Sequence, residues 1–212
     1  MDKFSSDYNF IIEHFNYVPG CDYVSDKKRF LDIVERYENV KSNEGKYYWV
    51  TAYAYLLLDR KEYHQGLIIN FEKYLNKLPF TEQYKDVMID VDYANDRGLV
   101  RKAVMPNDFE MARKIHIQNV YYQLMRAYQQ ENDLTNAEKY LNLGLNILPE
   151  KRFFFYYEMF NIYRKKNELQ KFLSECNKLN PKEKKDFSNM INRAKELINN
   201  GYIYRHRKNP IK

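Results

Sequence analysis

The chain has 212 residues, enough for one sizeable domain or one elongated array of repeats. Its six glycines and six prolines are few for an all-β fold, and two cysteines, Cys21 and Cys176, make no disulfide framework. The longest apolar run, residues 49–58, is shorter than the about 20 residues needed to span a membrane. The first residues also lack a signal-peptide pattern. We therefore expect a soluble, helical, cytoplasmic protein.

Positive charge is concentrated in the last third of the chain. The formal net charge of the whole sequence is +6. Residues 1–150 contain 19 Lys and Arg against 23 Asp and Glu, whereas residues 151–212 contain 16 against 6, a local net charge of +10. An anionic partner would therefore be expected at this end.

Aromatic residues are unusually frequent, with 21 Tyr and 13 Phe. Three explanations stay open from the sequence. The aromatic side chains form a recognition surface, or they reflect AT-rich codons, which Lys, Asn and Ile share with them. Tyr is also a core residue wherever its hydroxyl finds a polar partner.

Residues 1–45 are predicted to form two capping helices, because apolar residues recur at helical spacing in residues 9–15 and 27–40. One frame then occurs four times: a large residue, followed by apolar or small residues three, four and seven places on, as on one face of an α-helix. The four examples are Trp49, Ala52, Tyr53 and Leu56; Tyr84, Val87, Met88 and Val91; Tyr121, Leu124, Met125 and Tyr128; and Tyr156, Met159, Phe160 and Tyr163. Their starts are 35, 37 and 35 residues apart, which indicates a repeat.

A second helical stretch follows the frame in three of these repeats. In the third repeat it comes after the polar turn QQENDLT and supplies Leu134, Ala137, Leu141 and Gly144 before Pro149. Shifted by 35 residues, the corresponding positions are Leu169, Phe172, Cys176 and Leu179 before Pro181. In the first repeat they include Tyr63 and Gly66, and the stretch closes at Pro79.

The span Tyr121–Pro149 resembles the tetratricopeptide repeat (TPR), a helix–turn–helix unit of about 34 residues. The resemblance is good over residues 118–151, fair over 46–79 and 153–181, and poor over 80–117. It implies an all-α fold: an α-solenoid of about four degenerate repeats over residues 46–181, with terminal capping helices. Met125 stands where the family has a small residue.

The second repeat is the least regular. Gly98 and Pro106 interrupt its second helix, and the stretch from Asn107 to Gln130 then contains neither glycine nor proline. That stretch predicts either one long helix or two helices joined by an unmarked turn.

Residues 182–200 are predicted to form a C-terminal capping helix with one polar face, as a stacked array needs at its end. Its apolar stripe consists of Phe187, Met190, Ile191, Ala194, Leu197 and Ile198. Gly201 fits the residue just after the helix. The basic tail, residues 201–212, is expected to lie away from residues 119–164.

Motifs for catalysis, metal binding or cofactor binding are not recognisable. The four histidines share no metal-ligand spacing with cysteines or carboxylates. The acidic stretch DVDYANDRG, residues 90–98, departs from a calcium loop at Ala94, Asn95 and Arg101. Walker A, dinucleotide-binding and nucleophile-elbow patterns are missing as well. We therefore expect a protein that is not an enzyme and needs neither metal nor cofactor.

In the TPR family, the first helix of each repeat lines a concave groove, and four of its positions tend to contact ligands. Carried onto the third repeat, these positions are Asn119, Tyr122, Arg126 and Gln129; carried onto the fourth, they are Phe154, Tyr157, Asn161 and Arg164. An ordinary solvated helix face is the alternative. The counterparts in the first repeat, Tyr47, Val50, Ala54 and Leu57, are apolar and are expected to face a neighbouring helix.

The function implied by the resemblance is non-catalytic: a scaffold, adaptor or inhibitor that recognises a protein or peptide segment, of acidic character, through the concave face. An alternative is a nucleic-acid-associated protein that uses the basic C-terminal third, with Arg205, Arg207 and Lys208 on phosphates and aromatic side chains on unpaired bases.

Overall fold

The computed structural model describes residues 3–15, 23–41, 45–58, 61–77, 109–148 and 152–205. Within these ranges the chain forms ten α-helices, a 3-10 turn at Lys61–Tyr63 and no β-strand, which confirms the all-α class. The helices are α1 (Lys3–Phe15), α2 (Tyr23–Tyr37), α3 (Gly45–Leu58), α4 (His64–Leu75), α5 (Phe109–Gln130), α6 (Leu134–Ile147), α7 (Arg152–Lys166), α8 (Leu169–Asn177), α9 (Pro181–Asp186) and α10 (Ser188–Asn199).

The helices α1 and α2 coincide with the helical pair that the sequence predicts in residues 1–45. Residues 109–130 form the single helix α5, so this part of the unpunctuated stretch is one helix and not two. The frame of the second repeat, residues 84–91, and the acidic stretch at residues 90–98 lie outside the described residues.

The predicted C-terminal cap is two helices instead of one. Asn180 starts α9 with a capping box: its side chain accepts a hydrogen bond from the Glu183 N–H, and the Glu183 carboxylate accepts one from the Asn180 N–H. Phe187 then separates α9 from α10. Its ring is buried and stacks on Tyr156 of α7, with 5.2 Å between centroids. The amphipathic pattern predicted one continuous helix over residues 182–200. The contact with Tyr156 of α7 instead holds Phe187 at the point where α9 ends and α10 begins.

Neighbouring helices in sequence pack against one another. The helices α3 and α4, α5 and α6, and α7 and α8 form helix–turn–helix pairs, while contacts of α4 with α5 and of α6 with α7 join the pairs. Helices that are not adjacent in sequence also meet: α1 with α3, α5 with α7, and α7 with α10. One apolar core therefore runs from Tyr8 in α1 to Leu197 in α10.

Two helix–helix turns have the same geometry and lie 35 residues apart. Asn132, after α5, and Asn167, after α7, adopt the left-handed conformation with φ of 63° and 61°. In both turns the next N–H bonds to a carbonyl five residues back, from Asp133 to Tyr128 and from Glu168 to Tyr163. This is the Schellman motif, and asparagine tolerates its positive φ better than most residues other than glycine. Gly201, with φ of 64°, ends α10 in the same way.

Glycine permits close packing at two of the predicted small-residue positions. A Cβ atom on Gly66 would lie 2.5 Å from the ring of Tyr55, and one on Gly144 would lie 2.1 Å from the ring of Phe155. Both distances are far below a van der Waals contact. The helices α3 and α4, and likewise α6 and α7, therefore approach as closely as they do because no side chain stands between them.

Tyrosine hydroxyls tie the stack together by donating hydrogen bonds to carboxylates outside their own helices. Tyr37 donates to Asp7 at 2.9 Å, and Tyr163 to Glu138 at 3.0 Å. Glu72 on α4 accepts two such bonds, from Tyr128 on α5 at 2.7 Å and from Tyr140 on α6 at 2.9 Å. A fifth bond joins Tyr55 to Glu38.

Burial of these five phenols, reinforced by the neighbouring carboxylates, raises the pKa of every one of them. The pKa of Tyr37 rises to about 12. The pKa values of the other four also lie well above the ordinary tyrosine range, for the same two reasons.

Glu138 is the junction of α6, α7 and α8. Its mostly buried carboxylate accepts hydrogen bonds from Tyr163 and Lys166 of α7 and from Lys171 of α8. Burial alone would raise the pKa of Glu138, but these three donors outweigh it and hold the pKa below its usual range.

We expect Gly144→Ala to destabilise the protein by about 1–3 kcal/mol, the usual effect of overpacking a core. The buried ring of Phe155 has to move to admit the new Cβ. The higher helix propensity of alanine, about 1 kcal/mol over glycine, offsets only part of this packing cost. Asn142→Ala, at an exposed site on the same helix, is the control and should leave stability nearly unchanged. Thermal unfolding followed by circular dichroism would decide, and an unchanged melting temperature for Gly144→Ala would contradict the packing described here.

We also expect cooperative unfolding at alkaline pH. Tyrosines of the unfolded chain ionise near pH 10, whereas the five bonded phenols ionise only at higher pH. Their stabilising effect is therefore complete below pH 10 and is lost as the pH rises above it. Each contributes a slope of about 1.4 kcal/mol per pH unit, so together they lose about 7 kcal/mol per unit, comparable with the total stability of a domain.

Tyrosinate absorbance and helical circular dichroism should consequently change together, near pH 11. In Tyr140→Phe, which removes one of the five hydroxyls, the free energy of unfolding should depend less steeply on pH in this range. Ionisation of the full set of tyrosines while the helices remain intact would refute the proposed role of these bonds.

Candidate partner-binding surface

The structure places the eight predicted contact residues on two neighbouring helices. Asn119, Tyr122, Arg126 and Gln129 lie on α5, and Phe154, Tyr157, Asn161 and Arg164 lie on α7. Within each helix they are three, four and three residues apart, which keeps them on one face. The two helices pack against each other. We call these eight residues the α5–α7 surface.

One end of the α5–α7 surface is aromatic. Phe154 is 42% exposed and Tyr157 is 53% exposed, and among the large apolar side chains of the described residues only Ile203 is more exposed than Tyr157. The Tyr122 ring meets Phe154 edge-on at 6.3 Å and the buried Phe155 at 5.7 Å. The buried ring of Phe155 and the partly buried ring of Tyr122 therefore support an exposed aromatic patch that bridges the two helices.

The other end is rich in hydrogen-bond donors. Arg126 is exposed, and its guanidinium lies 5.9 Å from the Tyr122 ring centroid. Arg164 is partly buried and lies 6.0 Å from the Phe160 ring centroid. Among the described residues, neither the buried Nε of Arg164 nor the buried Nε2 of Gln129 has a hydrogen-bond partner. The chain itself therefore leaves both donors unsatisfied. A buried polar group without a hydrogen-bond partner costs about 1–3 kcal/mol.

Lys165 adds a third cation that the sequence analysis missed. It lies one residue beyond Arg164, off the predicted stripe, and its Nζ donates to the Gln129 carbonyl at 3.5 Å. Burial lowers the pKa of Lys165, and the nearby charge of Arg164 lowers it further, although Glu158 opposes them. Glu158 is itself buried, and the Asn161 amide donates to it at 3.5 Å. The spacing rule gave no signal for Lys165, because its position depends on how α7 packs against α5.

The corresponding residues of the first repeat are covered. Val50 and Ala54 are fully buried, and Tyr47 and Leu57 are partly buried. The Tyr47 ring contacts Phe4 of α1 at 5.1 Å and Tyr37 of α2 at 5.5 Å. The N-terminal helices thus pack on this face of α3, in agreement with the expectation from its apolar sequence.

The start of the tail contacts the turn after α7, at a residue beyond the 119–164 range from which the sequence predicts it to lie apart. The Tyr204 N–H donates to Asn167 Oδ1 at 2.6 Å, and Asn167 Nδ2 donates to the Tyr204 carbonyl at 3.4 Å. Asn167 lies three residues beyond Arg164. Arg205 is exposed, whereas Arg207 and Lys208 lie outside the described residues.

Several cations of the basic C-terminal third are paired with carboxylates. Lys166 and Lys171 both bind Glu138. Lys178 binds Glu175 at 2.7 Å, and Arg193 binds Glu196 at 2.7 Å. The net charge of +10 already includes Glu175 and Glu196, so only the carboxylate of Glu138, outside residues 151–212, offsets part of that charge.

A cleft of about 570 Å³ opens between α8 and α10 at the C-terminal end of the stack. It is lined by Gln170, Leu173, Ser174, Cys176, Asn177, Lys184, Ser188, Ile191, Asn192 and Lys195. Cys176 is almost fully buried, and burial raises the pKa of its thiol to about 12, so the thiol is unreactive.

Metal ligands do not converge in the part of the chain that the structure describes: no group of three or more His, Cys, Asp or Glu side chains could hold an ion there. The helices in those same ranges include none that is both long enough and apolar enough to cross a membrane. No known protein family matches the chain, and neither a curated protein nor a solved structure matches it.

Proposed function

We propose that this chain is a non-catalytic TPR-like scaffold, adaptor or inhibitor that binds an acidic peptide or protein segment through the α5–α7 surface. The observation that carries the proposal is the exposed aromatic patch beside Arg126, Arg164 and Lys165, on two helices that pack together. Solvent-exposed aromatic side chains and arginines are the residue types that most often dominate binding energy at interfaces. The proposed activity is cytoplasmic and needs no cofactor.

Three features support the TPR-like architecture. The helices α3 to α8 form successive helix–turn–helix pairs. The turns at Asn132 and Asn167 share one geometry at a separation of 35 residues, close to the about 34 residues of a TPR unit. Glycines at the predicted small-residue positions, Gly66 and Gly144, allow close helix packing.

The chemistry of the α5–α7 surface favours an acidic partner. Arginine binds carboxylates through two parallel charge-assisted hydrogen bonds, and the amides of Asn119 and Asn161 can pair with the main chain of an extended segment. A carboxylate near Arg164 and Lys165 would also relieve the repulsion between these two neighbouring cations.

Reversing two charges of the surface should weaken binding without unfolding the protein. We expect Arg126→Glu combined with Arg164→Glu to weaken the binding of synthetic acidic peptides at least tenfold. The melting temperature should be nearly unchanged, because Arg126 is exposed and Arg164 makes no ion pair among the described residues. Lys182→Glu with Lys185→Glu, at exposed sites on α9, is the matched control. Titration by fluorescence anisotropy and a thermal melt test this, and a large fall in melting temperature would mean that the arginines are structural.

Nucleic acid is the alternative partner, because the last 62 residues carry a net charge of +10. Substituting Gln for Arg205, Arg207 and Lys208 should leave peptide affinity nearly unchanged. If the chain instead binds single-stranded RNA or DNA, log K should fall with log salt by about 0.7 per neutralised phosphate, and this triple variant should flatten the slope. Tight, salt-sensitive oligonucleotide binding that the triple variant abolishes would favour the alternative.

A further inference from the structure

We infer that the α5–α7 surface recognises two features of one extended segment: an apolar side chain and a carboxylate three residues away from it. This inference rests on the proposed function and specifies its ligand. It follows from the arrangement of aromatic and cationic side chains at opposite ends of the surface.

The two ends are separate along α7. Phe154 and Tyr157, the exposed aromatic residues, lie in the first half of the helix, and Arg164 and Lys165 lie in its last turn. On α5 the order is the same, with Tyr122 before Arg126. The apolar contact and the charge contact therefore lie at different heights along both helices, and one side chain of a ligand cannot make both.

Helix geometry sets the distance between the contacts. Tyr157 and Arg164 are seven residues apart, which is about 10 Å along an α-helix. An extended chain advances about 3.3 Å per residue, so three residues cover the same distance. A segment that lies along α7 with an apolar residue on Tyr157 thus brings the third residue beyond it to Arg164.

An extended segment fits the surface better than a helix, because its main chain remains free to hydrogen-bond. Asn119, Gln129 and Asn161 supply amides between and beside the two ends. The protein itself contains a contact of this type: the Asn167 side chain bonds both the N–H and the carbonyl of Tyr204, in a stretch without regular secondary structure that ends the described chain.

The test is a titration of the full-length chain with synthetic peptides that each contain one Leu and one Glu in a neutral background. The spacing between Leu and Glu is one, three or six residues, in both orders, and a helix-favouring peptide carries them seven residues apart. NMR titration is suitable because it measures weak binding. We expect the three-residue spacing, in one of the two orders, to bind about tenfold more tightly than the others.

Two substitutions assign the contacts. Arg164→Gln should remove the preference for Glu over Gln in the peptide and keep the preference for Leu over Ser, whereas Tyr157→Ser should do the reverse. Both residues are at least partly exposed, and circular dichroism would confirm that the variants remain folded. Lys182→Gln, at an exposed site on α9, is the control for loss of one positive charge and should alter neither preference.

The outcomes separate this inference from the function on which it rests. Equal affinity at all spacings would overturn the inference and leave acidic-peptide binding intact. Tightest binding of the helix-favouring peptide would also overturn it, because the ligand would then be helical. If no acidic peptide bound at any spacing, both the inference and the proposed function would be wrong.

Discussion

The packing of these helices depends on carboxylates that accept hydrogen bonds from tyrosine hydroxyls of neighbouring helices. Asp7, Glu72 and Glu138 lie between packed helices, where an ionised carboxylate is unfavourable unless donors surround it. Tyrosine suits this environment because its ring fills apolar space and its hydroxyl reaches the acid. Each carboxylate thus fixes the separation and rotation of the helices around it, as Glu72 does for α4, α5 and α6.

The same interaction accounts for part of the high tyrosine content. Codon composition, core packing and recognition all remain possible from the sequence, but the structure shows five phenols bonded to carboxylates at helix junctions. Tyr157 differs from these because more than half of its side chain is exposed. Its position beside the exposed ring of Phe154 therefore supports the proposed binding surface, whereas the total number of tyrosines does not.

The proposed binding at the α5–α7 surface would require no rearrangement of the core. Phe154 and Tyr157 lie on the outside of α7, whose opposite side is held by Phe155, Tyr156 and Met159 in the core. Glu138 fixes the end of α7 near Arg164 through Lys166 and Tyr163. Tyr157 and Arg164, one from each end of the α5–α7 surface, are therefore held on the same helix, which would favour the proposed recognition of a fixed spacing.

The sequence by itself determined the helical class and the pairing of α5 with α6 and of α7 with α8, because periodic apolar residues and turn residues are local signals. The candidate contact positions from Asn119 to Gln129 and from Phe154 to Arg164 came from the resemblance to the TPR, and the structure places them on α5 and α7. Only the tertiary structure decided that α9 and α10 separate at Phe187, that Lys165 joins the basic end, and that Tyr204 contacts Asn167. These features depend on contacts between residues far apart in the chain, such as Phe187 with Tyr156, and local spacing carries no information about such contacts.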